Sequence, residues 1–364
     1  MSIVNLTTSL IYATVSAAIS ASGAGDTIAL SPGQYVEDFP LITHSLTIEG
    51  VGGLAHLTTP DPTPVNLRAI LYVAYGAGAD LTVRNLELSG AVDPGSNGAG
   101  ILFETGNGLL TVSDSWIHGN QDGVLAGTGG NRIAIDHSEI DHNGLLPGDP
   151  RYGLAHNIYA GDADSLTVTD SYIHDALGGH EIKSRAAVTT ITNNRIVDGP
   201  TSPASYSIDI PDGGQAVITG NTIEKGAASP NRFAIHFGGE ANPSFPNSSL
   251  LVRDNVLIND RAAGGTAIYN ASTNPGGQSY GATVDGNTAY NFGQFYRDRY
   301  NTPAGPNDQI GANTLIFGAA PALDSSAPWN VPEPSSRSLL AVAALGLAAL
   351  GLARRRPGMM SRRA

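Results

Sequence analysis

A short unit recurs along this chain and restricts the folds that the chain can adopt. Each unit has two or three β-forming residues, two polar residues, Asn or Ser, one variable residue and an apolar residue. Six copies are LTVSDSWI (110–117), IAIDHSEI (133–140), LTVTDSYI (166–173), TTITNNRI (189–196), AVITGNTI (216–223) and LLVRDNVL (250–257). ATVDGNTA (282–289) is a weaker copy, and LTVRNLEL (81–88) matches with a shift of one residue. Repetition at this scale predicts a solenoid, in which each unit packs on its neighbours.

The third residue of every unit is a β-branched apolar residue, and its spacing indicates the type of solenoid. The spacing varies upward from 23 residues to 34, as expected for one coil per repeat with loop insertions. A helical solenoid of this period needs two helices per repeat, which the 45 glycines and the β-branched residues disfavour. We therefore predict an all-β fold, a parallel β-helix. The column is Val83, Val112, Ile135, Val168, Ile191, Ile218, Val252 and Val284.

The Asn or Ser of each unit forms a second column. Its members are Ser115, Ser138, Ser171, Asn194, Asn221, Asn255 and Asn287. In stacked coils these side chains lie about 4.8 Å apart, where they bond backbone groups at a tight turn. Asn also tolerates the left-handed backbone that such a turn needs. We predict a structural ladder here and not a binding site.

The N-terminal segment AAISASGAGDTIALSPGQY (17–35) has the pattern of a short helix followed by a first β coil. Together with the repeats, it makes residues 10–320 resemble the pectate-lyase-like right-handed β-helix superfamily. The resemblance implies a right-handed coil with residues 11–19 as its capping helix. That superfamily includes lyases, hydrolases, epimerases and non-catalytic surface proteins, so it implies no single reaction. We expect an N-terminal cap at 1–25, the β-helix at 26–320, a linker at 321–330 and a separate tail at 331–364.

The tail combines a Pro-rich break, 15 apolar or Gly residues at 339–353 and an Arg cluster. As a helix, this apolar run spans about 22 Å, less than the about 30 Å of a bilayer core. The basic flank favours retention on the cytoplasmic side. This order resembles the PEP-CTERM sorting signal of Gram-negative bacteria. The residues that carry the resemblance are Val331, Pro332, Glu333, Pro334, Arg354, Arg355 and Arg356.

The PEP-CTERM resemblance implies cleavage near Pro332, Glu333 and Pro334 by an exosortase-like envelope protease. It implies a C-terminal membrane helix before processing, and delivery to the cell envelope, surface or extracellular matrix. An ordinary single-pass anchor is the alternative, and both place the β-helix outside the cytoplasm. Residues 1–26 contain no Lys or Arg and only a weak apolar run, unlike a signal peptide. We therefore expect the native N-terminus to lie upstream and to carry one.

The charge distribution excludes some partners. The formal net charge is −13, but the last 34 residues hold six Arg and one Glu, which leaves 13 basic and 31 acidic residues in the body. A body near −18 disfavours binding to nucleic acid or to an anionic membrane surface. The chain has no Cys, so disulfides, thiol nucleophiles and Cys-based metal sites are excluded.

A second strand recurs in the middle coils, in HNIYAG (156–161), HEIKSR (180–185), YSIDIPDG (206–213), FAIHFGG (233–239) and TAIYNAS (266–272). If the shared Ile faces inward, strand alternation predicts two outward columns. One is Asn157, Glu181, Ser207, Ala234 and Ala267, and the other is Tyr159, Lys183, Asp209, His236 and Tyr269. Five coils extend over about 19 Å, enough for several sugar units. Insertions at 144–154 and 238–248 are expected to form groove walls.

These strands carry the predicted site. The candidate catalytic residues are Tyr159, His180, Lys183, Arg185 and Asp209, and the candidate substrate-binding residues are His156, Asn157, Glu181, His236 and Tyr269. The superfamily resemblance implies a Lys or Arg base that removes the proton beside a uronate carboxylate, while another cation or calcium neutralises that carboxylate. The neighbouring Arg185 is expected to favour a neutral, basic Lys183, whereas Glu181 and Asp209 are expected to favour a charged Lys183 in ion pairs. Both roles of Lys183 therefore stay open.

The histidines offer a second arrangement. His180 and Tyr159 form the alternative acid–base pair, as the resemblance implies for epimerases. His156 and His180 stand two residues before their Ile, so inward and outward placements both stay open. Arg185 either binds a carboxylate or pairs with Asp209.

The predicted function is binding of an extracellular acidic polysaccharide, with cleavage by β-elimination or with epimerisation. Glu181, Asp209 and Asp212 are candidate Ca²⁺ ligands. The alternative function is a non-catalytic matrix or surface-interaction protein. The two differ in whether Lys183 and His180 share an open concave face or are held in ion pairs under a loop. The aromatic-rich segment 291–317 is expected to cap the last coil, with a sugar platform as its alternative role.

Overall fold

A computed structural model describes residues 1–59, 68–95, 97–127, 129–241 and 243–323. In this part of the chain the backbone winds into a parallel β-helix, and successive coils add strands to three sheets. Strands of neighbouring coils pair in parallel, because each coil brings the chain back above the equivalent strand. The all-β solenoid predicted from the repeats is confirmed.

Sheet 1 contains 13 strands among the described residues. In spatial order they are Leu10–Ile11, Ile3–Asn5, Asp26–Leu30, Leu46–Gly50, Leu81–Arg84, Leu109–Ser113, Arg132–Asp136, Ser165–Thr169, Val188–Thr192, Gln215–Thr219, Ser249–Arg253, Ala282–Asp285 and Gln309–Ile310. In the described chain, antiparallel pairing is confined to Ile3–Asn5, which pairs with Leu10–Ile11 on one side and with Asp26–Leu30 on the other. The anchor column of the repeat lies in this sheet, in the predicted register from Val83 to Val284.

Sheets 2 and 3 complete each coil. Sheet 2 comprises Gly33–Val36, Ala55–Thr58, Leu86–Ser89, Trp116–His118, Glu139–Asp141, Tyr172–His174, Arg195–Val197, Thr222–Lys225, Val256–Asn259, Thr288–Tyr290 and Thr314–Ile316. Sheet 3 comprises Ala69–Val73, Ala99–Phe103, Asp122–Ala126, Ile158–Ala160, Ile182–Ser184, Ile208–Ile210, Phe233–Phe237, Thr266–Asn270 and Gln294–Asp298. One apolar residue per strand stacks on its equivalent in the next coil, so a continuous core runs along the solenoid.

The Asn and Ser column lies at the turn between sheets 1 and 2 and is buried. The backbone N–H of Asn194 donates to Oδ1 of Asn221 at 2.8 Å, and that of Asn221 donates to Oδ1 of Asn255 at 2.9 Å. Nδ2 of Asn221 also donates to the carbonyl oxygens of Ile191 and Thr219. The ladder therefore satisfies buried backbone groups at every turn, which confirms its structural role.

The left-handed backbone of these turns lies one residue before the ladder, which corrects the sequence prediction. Asp170 and Asn193 have φ values of 47° and 59°, whereas the ladder residues are not in the left-handed region. The segment 81–88 also follows this pattern without a shift. Asn85 takes the left-handed position with φ 53°, and Leu86 replaces the ladder residue. The apparent shift of one residue arises only when Asn85 is aligned with the ladder residues of the other units.

The N-terminal cap differs in detail from the prediction for residues 11–19. The helix is Val15–Ala21, and it begins where Thr14 accepts a hydrogen bond from the backbone N–H of Ala17. The carboxylate of Glu37 accepts from the N–H groups of Val15 and Ser16. Ile11 lies in a short strand and is exposed, so the apolar pattern alone placed the start of the helix too early.

Segment 291–317 continues the solenoid instead of capping it. Its strands extend all three sheets, and Phe292 and Tyr296 are buried in the core. The cap and platform predictions for these aromatic residues were wrong, because both fill the interior of a further coil. Within the described residues, no helix has the length and apolar character needed to cross a membrane. The predicted C-terminal hydrophobic helix and sorting signal lie outside the described residues.

Candidate functional site

The outer face of sheet 3 carries the second predicted column. Tyr159 pairs with Lys183, Lys183 with Asp209, Asp209 with His236, and His236 with Tyr269. The intervening isoleucines are fully buried, so this column points away from the core as predicted. The result is a row of ring, cation and carboxylate side chains, one from each coil.

The first predicted column does not face outward. Asn157, Glu181 and Ser207 are 0% exposed and lie in the corner between sheets 2 and 3. Asn157 donates through Nδ2 to Glu181, and Oδ1 of Asn157 accepts from the backbone N–H of Asn143 at 3.1 Å. Alternation applies only inside a strand, and these strands begin at the following Ile. Asn157 and Glu181 therefore belong to a second buried ladder and have no exposed surface for a substrate.

Asp209 is the centre of the charged part of the face. Its carboxylate is 1% exposed. Oδ1 accepts a hydrogen bond from Nδ1 of His236 at 2.7 Å. Oδ2 lies 3.4 Å from Nε2 of His180 and 3.5 Å from Nζ of Lys183. The hydrogen bond from His236 and the nearby ammonium group of Lys183 stabilise this buried carboxylate, although Oδ2 itself has no hydrogen-bond partner within the described residues.

His156 and His180 stack face to face, with ring centroids 4.8 Å apart. Nδ1 of His156 accepts from the backbone N–H of His180 at 2.9 Å, and Nδ1 of His180 accepts from that of Tyr206 at 3.1 Å. These bonds place the proton of each neutral ring on Nε2. Burial lowers the pKa of His156 to about 3 and lowers the pKa of His180 well below its ordinary value. Both rings are neutral at physiological pH and are held on the outer side of the sheet.

His236 has a different arrangement. Its Nδ1–H donates to Asp209, so Nε2 is the unprotonated nitrogen of the neutral ring. Nε2 faces Gly239, where an added Cβ would lie 3.2 Å from it. The ring stacks on Tyr206 with centroids 4.8 Å apart. An imidazole whose Nδ1–H is held by a buried carboxylate and whose Nε2 carries no proton has the tautomer that a general base needs.

Lys183 and Arg185 meet a carboxylate from the insertion at 238–248. Glu240 contacts both cations, and its Oε1 lies 3.5 Å from Nζ of Lys183. Arg185 also donates to Asp212 at 2.7 Å and, through Nε, to the hydroxyl oxygen of Tyr159 at 3.2 Å. Burial opposes ionisation of Glu240, but the hydrogen bond from Arg185 and the two cations lower its pKa overall. Arg185 thus pairs with Asp212 and Glu240 and not with Asp209, which was one of the two alternatives left open by the sequence.

The predicted acid–base pair of His180 and Tyr159 is separated by another ring. His156 lies between them, with its centroid 4.8 Å from that of His180 and 5.4 Å from that of Tyr159. The three candidate calcium ligands are likewise divided among separate partners. Glu181 binds Asn157, Asp209 binds His236 and Asp212 binds Arg185, so the structure does not gather them into an oxygen cluster.

Several residues of this face were missed in the sequence. Tyr206 and Phe233 form one column with His156 and His180, two residues before the inward Ile. Phe233 stacks on Tyr269 at 4.6 Å. The guanidinium of Arg297 lies 4.5 Å from the centre of the Tyr269 ring. The signal was an aromatic or His residue at the same offset in four successive coils.

The two insertions lie beside the faces of the solenoid. Residues Ser244 and Phe245, with Asp212 and Tyr280, line a cavity of about 280 Å³ next to Glu240. Segment 144–154 lines a larger cavity of about 460 Å³ with His142 and Gln121. Segment 238–248 therefore lies along the face of sheet 3, whereas segment 144–154 covers the corner between sheets 2 and 3.

Comparison with known families agrees with this architecture. Residues 151–302 match the family described as a right handed beta helix region. Residues 330–356 match the PEP-CTERM protein-sorting motif, which indicates export and sorting to the cell surface. The right-handed parallel β-helix and the sorting motif inferred from the sequence are both confirmed. Among curated proteins, none matches this chain.

Solved structures with a similar course of the chain are distant in sequence. Dettilon tailspike protein is 15% identical with a TM-score of 0.40, and the match covers 79% of this chain and 61% of that chain. Pectate lyase Pel9A is 14% identical with a TM-score of 0.41, over 88% of this chain and 76% of that chain. A pectin methylesterase in complex with a hexasaccharide is 12% identical with a TM-score of 0.36, over 98% and 97% of the two chains.

Proposed function

We propose that this exported right-handed β-helix protein binds an acidic polysaccharide on the outer face of sheet 3 and cleaves it by β-elimination. The hydrogen bond between Asp209 and His236 carries the proposal. It orients the imidazole of His236 on the same face as Lys183 and Arg185. A base beside two cations is the combination that removal of a proton next to a uronate carboxylate requires.

The reaction needs few groups. Nε2 of His236 takes the proton from the carbon that bears the carboxylate, and the electron pair of that C–H bond forms a carbon–carbon double bond. The bond to the glycosidic oxygen breaks, and the leaving oxygen takes a proton from water. Asp209 stabilises the imidazolium that forms. Lys183 or Arg185 stabilises the charge that develops on the uronate carboxylate.

The same face has the extent and the chemistry to hold a chain of sugars. The column from Tyr159 to Tyr269 spans five coils, or about 19 Å. Tyr269 and Phe233 provide ring surface at one end, and the cations lie toward the other. In this arrangement a substrate carboxylate takes the place of the Glu240 carboxylate at Lys183 and Arg185.

Epimerisation begins with the same proton removal. It differs because a proton returns to the opposite face of the carbon and the glycosidic bond stays intact. Tyr159, whose hydroxyl accepts from Arg185, lies three coils from His236, so in this reaction the returning proton comes from water. The two reactions are separated by their products.

A non-catalytic binding protein is the second candidate function, and one observation favours it. Lys183 and Arg185 are already paired with Glu240, and Lys183 also faces Asp209. Ion pairs of this kind hold side chains in place without any reaction. In this alternative the row of rings and charges recognises a polysaccharide of the envelope or matrix, and His236 serves only as a hydrogen-bonding group.

Delivery follows from the C-terminal motif. We infer that the chain reaches the envelope through an exosortase-like protease that recognises Pro332, Glu333 and Pro334. The apolar segment would hold the chain in the membrane before processing, with Arg354, Arg355 and Arg356 on the cytoplasmic side.

Ultraviolet absorbance of unsaturated uronate products tests the proposed reaction. The chain is incubated with a panel of uronate polymers, with His236→Gln and Lys183→Met as site variants and His137→Gln, in the turn after the sheet 1 strand Arg132–Asp136, as control. Product formation that is lost in the site variants and kept in the control supports elimination. Binding without any product on every polymer would remove the catalytic proposal and favour the second candidate. Altered uronate stereochemistry without chain cleavage would favour epimerisation.

A further inference from the structure

We propose that Asp141, His142 and His174 form a site for a divalent metal ion of the zinc class on the outer side of sheet 2. This site is separate from the face of sheet 3. Asp141 and His142 belong to one coil, and His174 belongs to the next. One ligand atom from each residue lies within 4.8 Å of the others. Two atoms bound at about 2.1 Å to one Zn²⁺ are at most about 4.2 Å apart, so only a small closure is needed.

The ligand set selects the metal class. Two imidazole nitrogens and one carboxylate oxygen suit Zn²⁺, Co²⁺ or Ni²⁺, whereas Ca²⁺ and Mg²⁺ prefer oxygen ligands alone. Three protein ligands leave at least one coordination position for water or a small ligand. His142 is half-exposed and also lines the cavity of about 460 Å³ under segment 144–154. The open position therefore has access to this cavity.

The groups around the ligands are arranged as an outer shell. Oδ1 of Asp141 accepts a hydrogen bond from Nε1 of Trp116 at 2.6 Å, which leaves Oδ2 toward His142. Nε2 of His174 lies 3.1 Å from Glu139, and its Nδ1 lies 2.9 Å from Asp175, so a metal bound at Nδ1 replaces the contact with Asp175. Metal-binding histidines commonly donate their second nitrogen to a carboxylate in this way, because the bond sets ring orientation.

Asp175 extends this arrangement. Its Oδ1 accepts from the backbone N–H of Gly199 at 2.7 Å, and its Oδ2 lies 2.9 Å from Nδ1 of His174. Asp141 and Asp175 each have one carboxylate oxygen held by a group outside the cluster, and the ring of His174 is held between Glu139 and Asp175. An ion pair on a solvated surface does not need such hydrogen bonds from neighbouring groups.

Isothermal titration of the full chain with Zn²⁺ tests the proposal. We expect one ion per chain, and at least about tenfold weaker binding in His142→Ala. His142 is exposed enough that this variant retains the fold, and thermal unfolding checks it. His137→Ala is the matched control, because His137 lies beside Asp136 and Asp170 on another turn. This control should bind Zn²⁺ as the wild type does.

A second readout does not depend on the heat signal. Trp116 bonds directly to Asp141, so Co²⁺ bound at the site should quench its fluorescence, and His142→Ala should abolish the quenching. Absence of saturable binding in the wild type would overturn the proposal. Equal affinity in His142→Ala and the wild type would also overturn it, as would a loss of binding caused by His137→Ala alone.

Discussion

Asp209 and His236 lie on neighbouring coils of sheet 3, and a 2.7 Å hydrogen bond joins Oδ1 of the first to Nδ1 of the second. The bond fixes the tautomer of His236 and leaves Nε2 as its basic atom. The activity proposed above depends on this relationship more than on Lys183, which the sequence had suggested as the base.

If the elimination reaction occurs, His236→Gln should lower kcat by about 10²–10⁴-fold with little change in KM, because a general base acts in the transition state. Asp209→Asn should lower kcat as well, since the orienting carboxylate is lost. Steady-state kinetics on the best polymer of the panel measures both. Equal loss of polymer binding in His236→Gln would instead mean that the ring contributes to recognition.

Glu240→Gln should strengthen binding of a uronate polymer by about two- to fivefold. The change removes a negative charge that contacts Lys183 and Arg185, and partly exposed pairs have small energies. Titration at two salt concentrations gives the affinity and its salt dependence. Glu49→Gln on sheet 1 is the control for a general loss of negative charge. Weaker binding in Glu240→Gln would show that Glu240 positions the cations and does not compete with the polymer.

Asp122→Asn should remove a pH dependence of stability. Burial raises the pKa of Asp122 from 3.8 to about 7, although Asp122 accepts from the backbone N–H of His156. Because the folded-state pKa is the higher one, stability from this group is complete below about pH 4. It is lost as the pH rises through about 7, by roughly 4 kcal/mol in total.

Thermal unfolding from pH 4 to pH 8 measures this effect. The wild type and Asp122→Asn should be similar at the acidic end, and the variant should be the more stable at the alkaline end. Asp162→Asn changes an exposed carboxylate and should leave the wild-type profile unaltered. Parallel profiles for the wild type and Asp122→Asn would contradict the raised pKa.

Asn221→Ala should cost at least about 3 kcal/mol of stability, because several buried groups lose their partners at once. These include the backbone N–H of Asn194 and the carbonyl oxygens of Ile191 and Thr219. Asn221→Ser should cost less, since Ser171 accepts no less well in the equivalent place of another coil. Urea unfolding compares the two, and equal losses would argue against the ladder bonds as the cause.

The repeat predicted the core and the ladder well because both depend on side chains inside a strand or at a fixed turn. Val112 and Ile135 pair as expected. The coil with Ile28 was identified from its N-terminal segment and not from the repeat, and the coil with Ile48 matches neither pattern, although both residues stack below Val83. In the coil of Ile48, Val51 takes the place of the Asn or Ser that identified the other coils.

The site was predicted less completely for two physical reasons. Alternation fails at corners, which is why Glu181 is buried while Lys183, two residues on, reaches the surface. A local sequence pattern does not predict where a loop packs. The residues around position 240 therefore gave no indication that Glu240 forms an ion pair with Arg185. His236 was identified as a binding residue, but its pairing with Asp209 required the register of two coils.

One residue per coil on the face of sheet 3 has an evolutionary consequence. Because each coil contributes one outward residue, gain or loss of a whole coil would lengthen or shorten this row of residues by one position. The neighbouring positions in the row would stay as they are, because pairing between successive coils places Tyr159, Lys183 and Asp209 next to one another. If the face of sheet 3 binds a polymer as proposed, a change in the number of coils would change the length of the bound segment and leave every existing position as it is.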